Sequence, residues 1–146
     1  MEYEINEGTL AIIPSDKKSI IFEDNERKEY QKSPYEIIDY SCRFFGSSYQ
    51  GRKEGTKSIL NVSYKLPIII ESSKNIIFFP TNSPTDNDCC WISLKNIEKI
   101  EECEYNTTNI IFNNGVSLKL PISKRSIENQ ILRASRLDSI MQNRKI

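Results

Sequence analysis

The chain has 146 residues, 38% apolar and 27% charged, and its twenty basic and twenty acidic side chains give a net charge of zero. That composition excludes a disordered or fibrous chain and fits one domain, residues 1–146, whose core needs neither metal nor disulfide. No apolar run nears the roughly eighteen residues of a membrane span, and no charged-then-apolar leader opens the chain, so a cytoplasmic protein is expected.

The zero balance hides a pattern. Residues 1–40 carry 5 basic and 10 acidic side chains, 41–75 carry 6 and 2, 76–120 carry 3 and 6, and 121–146 carry 6 and 2. Two basic segments separated by acidic ones can fold into one positive face, which a polyanion partner needs. Histidine is absent and the four cysteines, Cys42, Cys89, Cys90 and Cys103, lack the paired spacing of a zinc site. No metal and no cofactor are expected, and the thiols read as reduced and mostly packing.

Tyr3 and Ile5, the turn at Asn6-Glu7-Gly8 and the run Leu10-Ala11-Ile12-Ile13 stopped by Pro14 predict a hairpin. Ser19-Ile20-Ile21-Phe22 is a third short strand. Glu23 to Lys32 is charged and glycine-free, a loop or a solvated helix, and Pro34 to Tyr40 is a strand or one helical turn.

Residues 41–56, Ser-Cys-Arg-Phe-Phe-Gly-Ser-Ser-Tyr-Gln-Gly-Arg-Lys-Glu-Gly-Thr, hold three of the five glycines and three basic side chains. The predicted form is an anion-binding loop in which glycines permit φ > 0 or close approach and Ser, Tyr, Arg and Lys offer donors to phosphate oxygens. Gly46 to Lys53 has the glycine spacing of a nucleotide-binding P-loop, but Glu54 stands where Mg²⁺ binding needs Ser or Thr. Gly46-Ser47-Ser48-Tyr49-Gln50-Gly51 misses the spacing of a nucleophile elbow by one residue, and no histidine is present to act as base. No catalytic residues are assigned, and no enzyme activity is expected.

Strands are predicted at Ser58–Tyr64, Pro67–Glu71, Asn75–Phe79 and from Trp91 to Leu94, then at Asn96–Ile100 and Cys103–Tyr105. Thr81 to Asp88 is a surface loop, and Asp86 with Asp88 is too few ligands for a cation site. Thr108–Phe112, the turn Asn113-Asn114-Gly115 and Val116–Leu120 form a hairpin. From Ser123 the period changes: Ile127, Ile131, Ala134, Leu137 and Met141 make one helical stripe, with Ser123 or Ser126 as N-cap and Arg125, Arg133, Arg136 and Arg144 opposite. The expected fold is α+β: mainly antiparallel sheet or a small, partly closed barrel, with a C-terminal helix.

The segment 41–56 resembles the hallmark of the ComK competence transcription factors. Phe79-Pro80-Thr81 with Cys90-Trp91-Ile92-Ser93, and Asn114-Gly115, Leu120-Pro121-Ile122-Ser123, Glu128-Asn129-Gln130 and Arg133, extend the resemblance over roughly Tyr3 to Arg136. It implies a transcriptional activator of DNA-uptake genes that binds paired A/T-rich boxes of double-stranded DNA, largely through the minor groove, as a homo-oligomer. Longer members of that family carry a tail used for adaptor-mediated proteolysis, and with the chain ending at Ile146 that tail is expected to be missing.

On that reading Arg43 and Arg52 are candidates for groove insertion, and Lys53, Ser47, Ser48 and Tyr49 for phosphate contact. Gly46, Gly51 and Gly55 would permit the approach, and Arg125, Arg133 and Arg136 would supply a second basic surface. Phe44 and Phe45 are read as core anchors rather than intercalating wedges. Capped serines and solvated charges in a tight turn remain an alternative for the loop, as a solvated face does for the helix arginines. A protein-interaction or anionic-headgroup module using the same loop is the alternative function.

Overall fold

Apolar residues recurring at every second position, on strands covered from both sides, decide the architecture. The computed structural model describes residues 2–145. In chain order its elements are β1 (Thr9–Ser15), β2 (Lys18–Glu23), β3 (Glu26–Tyr30), α1 (Pro34–Phe44), α2 (Tyr49–Leu60), β4 (Ile68–Glu71), β5 (Ile76–Pro80), β6 (Trp91–Ser93), β7 (Ile97–Cys103), β8 (Thr107–Phe112), β9 (Ser117–Leu120) and α3 (Lys124–Arg144). The strands form a six-stranded sheet in the order β3-β2-β1-β6-β5-β4 and a three-stranded sheet β7-β8-β9, antiparallel throughout. This is the α+β class expected, mainly sheet with a C-terminal helix, but no barrel closes and two further helices are present.

Alternation sends the large sheet's side chains into two cores. Ile12, Ile21, Ile68, Ile70, Ile76, Phe78 and Trp91 pack with Ile37, Ile38 and Cys42 of α1 and Tyr49 of α2. Ala11, Phe22, Ile69, Ile77, Phe79 and Ile92 pack with Ile110, Phe112 and Leu120 of the small sheet and Ile127, Ala134 and Leu137 of α3. Trp91 is fully buried, paired with Ile12 on one side and Pro80 on the other. Fully burying side chains of this size is worth roughly 1.5–3 kcal/mol each.

Several predicted elements are corrected. The first hairpin is β1 with β2, not Tyr3–Ile5 with β1, and Asp16 and Lys17 make its turn, both at positive φ (52° and 66°). Tyr3 and Ile5 are buried without joining a strand: the Ile5 amide donates to Ser41 Oγ at 2.9 Å, and the Tyr3 hydroxyl bonds Thr9 and Glu23. Pro14 does not stop β1, because β6 pairs only with Ala11 and Ile12 and the strand has one neighbour at Pro14. The charged stretch after Glu23 holds β3, an edge strand whose Glu, Arg and Lys side chains discourage further pairing.

The larger correction concerns residues 41–56. They are the end of α1, a four-residue turn Phe45–Ser48, and most of α2. Ser33 and Glu36 form a capping box at the start of α1, with Pro34 in its first turn. Ser48 caps α2 by accepting from the Gly51 amide at 3.0 Å. Tyr49, Thr56 and Leu60 supply the buried stripe of α2, and Asn61 ends it in the left-handed conformation (φ 57°), so the strand expected at 58–64 is absent. Only Gly46, at φ 87°, uses the conformational freedom the loop reading gave to all three glycines.

The C-terminal reading holds. Ser123 caps α3, its Oγ accepting from the Ser126 amide at 3.2 Å, and Ile127, Ala134 and Leu137 are buried. Gln130 Nε2 donates to the carbonyls of Lys65 (3.0 Å) and Pro80 (2.7 Å), tying α3 to β5 and to the connector after α2. The Asn-Gly hairpin forms β8 and β9 as expected, with Gly115 at φ 88°.

A Cβ at Gly55 would meet nothing within 4 Å, and the residue lies inside a helix. Gly55→Ala should therefore stabilise the protein by about 0.5–1 kcal/mol, seen as a raised urea midpoint at unchanged m-value.

Candidate nucleic-acid interface

Of the candidate contact residues, Arg43, Gly46, Ser47, Ser48, Tyr49, Gly51, Arg52 and Lys53 sit on α1, α2 and the turn between them, and Arg125, Arg133 and Arg136 on α3; one carboxylate holds the first group together. Asp39 lies one helical turn before Arg43, whose Nε donates to Asp39 Oδ2 at 2.8 Å. The other oxygen, Oδ1, accepts from the Tyr49 amide at 2.9 Å, one of the amides that α2 cannot satisfy within itself. Asp39 thus caps the next helix from the side while placing a negative charge at its positive end. Burial alone would raise this carboxyl, but the Arg43 guanidinium and the Tyr49 N–H outweigh it and hold it below the usual aspartate range.

The turn is fixed by its own backbone: the Gly46 amide donates to the Arg43 carbonyl at 3.0 Å and the Ser47 amide to the Cys42 carbonyl at 2.9 Å. Tyr49 is only 5% exposed, its ring 4.8 Å from Tyr35 and 6.2 Å from Trp91 between centroids. It anchors α2 on the sheet, and burial pushes its hydroxyl up to about 12. Gln50, Gly51, Glu54, Gly55, Lys57 and Ser58 are exposed on the outer side of α2, with Arg52 and Lys53 half-buried at its flanks. Among the described residues no carboxylate lies within 4.0 Å of the Arg52, Lys53 or Lys57 charges. Arg52 Nε is sealed from solvent without a hydrogen-bond partner, as is Thr56 Oγ1 one turn later. The sequence reading missed Asp39, whose four-residue spacing to Arg43 was the available signal, and Lys57.

Arg133 reaches the end of α2. Its Nη1 donates to the carbonyls of Tyr64 (3.0 Å) and Lys65 (3.3 Å), and its guanidinium lies 5.3 Å above the Tyr64 ring. Lys57, Asn61, Tyr64 and Arg133 line one depression of ≈ 480 Å³. The two basic segments therefore meet at this junction. Arg125 and Arg136 are exposed on the outer side of α3, and among the described residues no hydrogen bond or ion pair ties them to α2.

The cysteines form no disulfide. Burial pushes the thiols of Cys42 and Cys90 up to about 12 and that of Cys89 up to about 11, so all three stay protonated at neutral pH and serve as packing groups. Asp86 accepts the Asp88 amide at 3.0 Å within the surface loop. Among the described residues no helix is long and apolar enough to cross a membrane.

Fold and surface together define the class: an α+β protein on two antiparallel sheets, with two helices joined by a short turn and basic side chains on the second. The chain belongs to the ComK family, whose model, described as ComK protein, matches residues 1–145. Over 146 residues it is 39% identical to the competence transcription factor of Bacillus subtilis (strain 168), a match covering 97% of this chain and 76% of that protein. No solved structure matches the chain.

Asp39→Ala removes the lateral cap of α2. It should cost about 1–2 kcal/mol at neutral pH. Because the folded carboxyl is depressed, this stability is fully present above the unfolded aspartate value of roughly 3.9 and is lost as pH falls through the folded value. Urea midpoints of wild type and variant should therefore converge on acidification.

Proposed function

We propose that this chain is a DNA-binding transcriptional activator of competence genes, with residues 1–146 acting as one DNA-binding unit. It recognises paired A/T-rich boxes largely through the minor groove, as a homo-oligomer. The observation that carries the reading is the unit of α1, turn and α2, with its unpaired Arg52, Lys53 and Lys57 in a chain of the ComK family. The relative's name, competence transcription factor, supports the biological role.

Size decides how such a unit meets its target. A helix with side chains is about 10–12 Å across, and an undeformed minor groove is about 6 Å wide. The body of α2 therefore stays outside, against the phosphates, and the side chains beside the turn reach in. Arginine suits the narrow, strongly negative groove of A/T tracts, so we assign groove insertion to the exposed Arg43, whose Nε Asp39 holds, and keep the half-buried Arg52 as the second candidate. Lys53, Ser47 and Ser48 are assigned to phosphate contact. The exposed Gly51 and Gly55 let the backbone of α2 approach the DNA closely. Tyr49 contributes by anchoring the helix, and Arg133 extends the phosphate track to the junction with α3, with Arg125 and Arg136 beyond it.

Replacing Arg52 and Lys53 together by alanine should flatten the dependence of log K on log salt by about two units, if each neutralises one phosphate. An unchanged slope counts against this surface. Mobility shifts should favour A/T-rich over G/C-rich duplex. Duplex carrying inosine·cytosine pairs should be retained, because inosine lacks the minor-groove amino group of guanine.

A further inference from the structure

Phe44 closes α1 with 55% of its surface exposed. The expectation that both adjacent phenylalanines anchor the core holds only for Phe45, which is half-buried against the helix-side core. Single exposed apolar residues are ordinary on soluble proteins, so exposure by itself assigns nothing to Phe44. Its mounting and its neighbours do.

The Phe44 ring stands edge-on against Phe45, centroids 5.0 Å apart at 85°. The backbone that carries both rings is held by the Phe45 amide on the Ser41 and Cys42 carbonyls (3.3 and 3.2 Å) and by the bonded turn that follows. Arg43 precedes it, with the guanidinium fixed at Nε by Asp39 and its side chain 65% exposed. Gly46 and Ser47 follow on the turn, and a Cβ at Gly46 would meet nothing within 4 Å. A rigidly backed apolar plate thus projects beside an exposed guanidinium that Asp39 holds in place and an open turn.

We propose that Phe44 is a wedge that enters between two base pairs of an A/T-rich site while Arg43 occupies the adjoining groove. This rests on the DNA-binding reading above. Minor-groove proteins insert apolar side chains of this kind, unstacking a base step and kinking the duplex, and pyrimidine–purine steps such as TA yield most readily. The ring has the planar surface to stack on the parted bases, and the hydrogen-bonded helix end resists being pushed back when the step opens.

The test uses the full chain and an A/T-rich duplex with one central TA step, 2-aminopurine beside that step and a fluorophore pair on the duplex ends. Wild type should raise the 2-aminopurine emission and shorten the end-to-end distance. Phe44→Ala should keep the salt slope, since no phosphate contact is lost, and lower the urea midpoint only slightly, through loss of the edge-on contact with Phe45. It should abolish the emission rise, relax the bend and weaken binding by roughly 5- to 150-fold, the loss expected for one stacked base. Phe44→Trp should restore emission and bend. An alanine variant that bends and unstacks the duplex as wild type does overturns the wedge. So does one whose defect follows a change in sedimentation, which would make Phe44 a contact between copies of the chain. Failure of wild type to bind the A/T duplex at all removes the DNA-binding reading and the wedge with it.

Discussion

Burial of the six-stranded sheet on both faces is the constraint on which everything else depends. An antiparallel sheet commonly leaves one face to water, but here Ile68, Ile69 and Ile70, and Ile76 to Phe79, are buried on successive residues and so on opposite faces. Each face needs its own cover. The helix α1 and the start of α2 close one side, and α3 with the small sheet and Leu60 at the end of α2 closes the other. The unit of α1, turn and α2 is therefore a structural layer before it is a binding surface. Its inner side, from Ile37 to Leu60, is committed to the cores, and only the side turned away from the sheet is available to a partner.

That division explains why Asp39 matters. α1 and α2 pack on the same sheet but are joined by only four residues, Phe45 to Ser48. The Asp39 carboxylate spans the join, with Arg43 on one oxygen and the first amide of α2 on the other. It fixes where Arg43 stands relative to the start of α2. If Arg43 enters a groove as proposed, it gains from being held in advance, since less side-chain entropy is lost when it binds.

The legible parts of the sequence were those where local chemistry and tertiary contact agree. The α3 stripe with its Ser123 cap, the Asn-Gly hairpin and the buried runs from Pro67 to Phe79 all read correctly, because period, cap and turn residue point the same way. The β1–β2 turn was missed because Asp16 and Lys17 occupy left-handed positions that favour Asn and Gly. α2 was missed because two of its twelve residues are glycine and because Leu60, Val62 and Tyr64 mimic strand alternation. What overrides that local signal is placement: Ser48 and Asp39 satisfy its first amides, and Tyr49, Thr56 and Leu60 find the core. At the candidate site, sequence singled out Arg43, Arg52 and Lys53, but not Lys57, the two helices that flank the turn, which serine caps, that Tyr49 faces inward, or that Asp39 joins the helices.

The departures from local rules collect in these same two helices. Gly55 weakens α2 by about 0.5–1 kcal/mol relative to alanine, and no close packing around it within the chain requires its missing Cβ, whereas a Cβ at Gly51 would press on Ser47 Oγ at 3.0 Å. Arg52 Nε and Thr56 Oγ1 are buried without partners, although buried polar atoms are nearly always bonded. Phe44 exposes its ring, whereas neighbouring Phe45 packs against the core. Sequences usually keep such conflicts out of a fold's structural elements and tolerate them where another requirement governs. Under the DNA-binding proposal, the shared location of helix-weakening glycines, an exposed ring and basic side chains is what a partner that approaches closely, carries negative charge and offers flat apolar faces would require. Duplex DNA meets all three conditions at once, whereas a lipid headgroup layer or an acidic protein surface lacks the stacked planar faces that would account for Phe44.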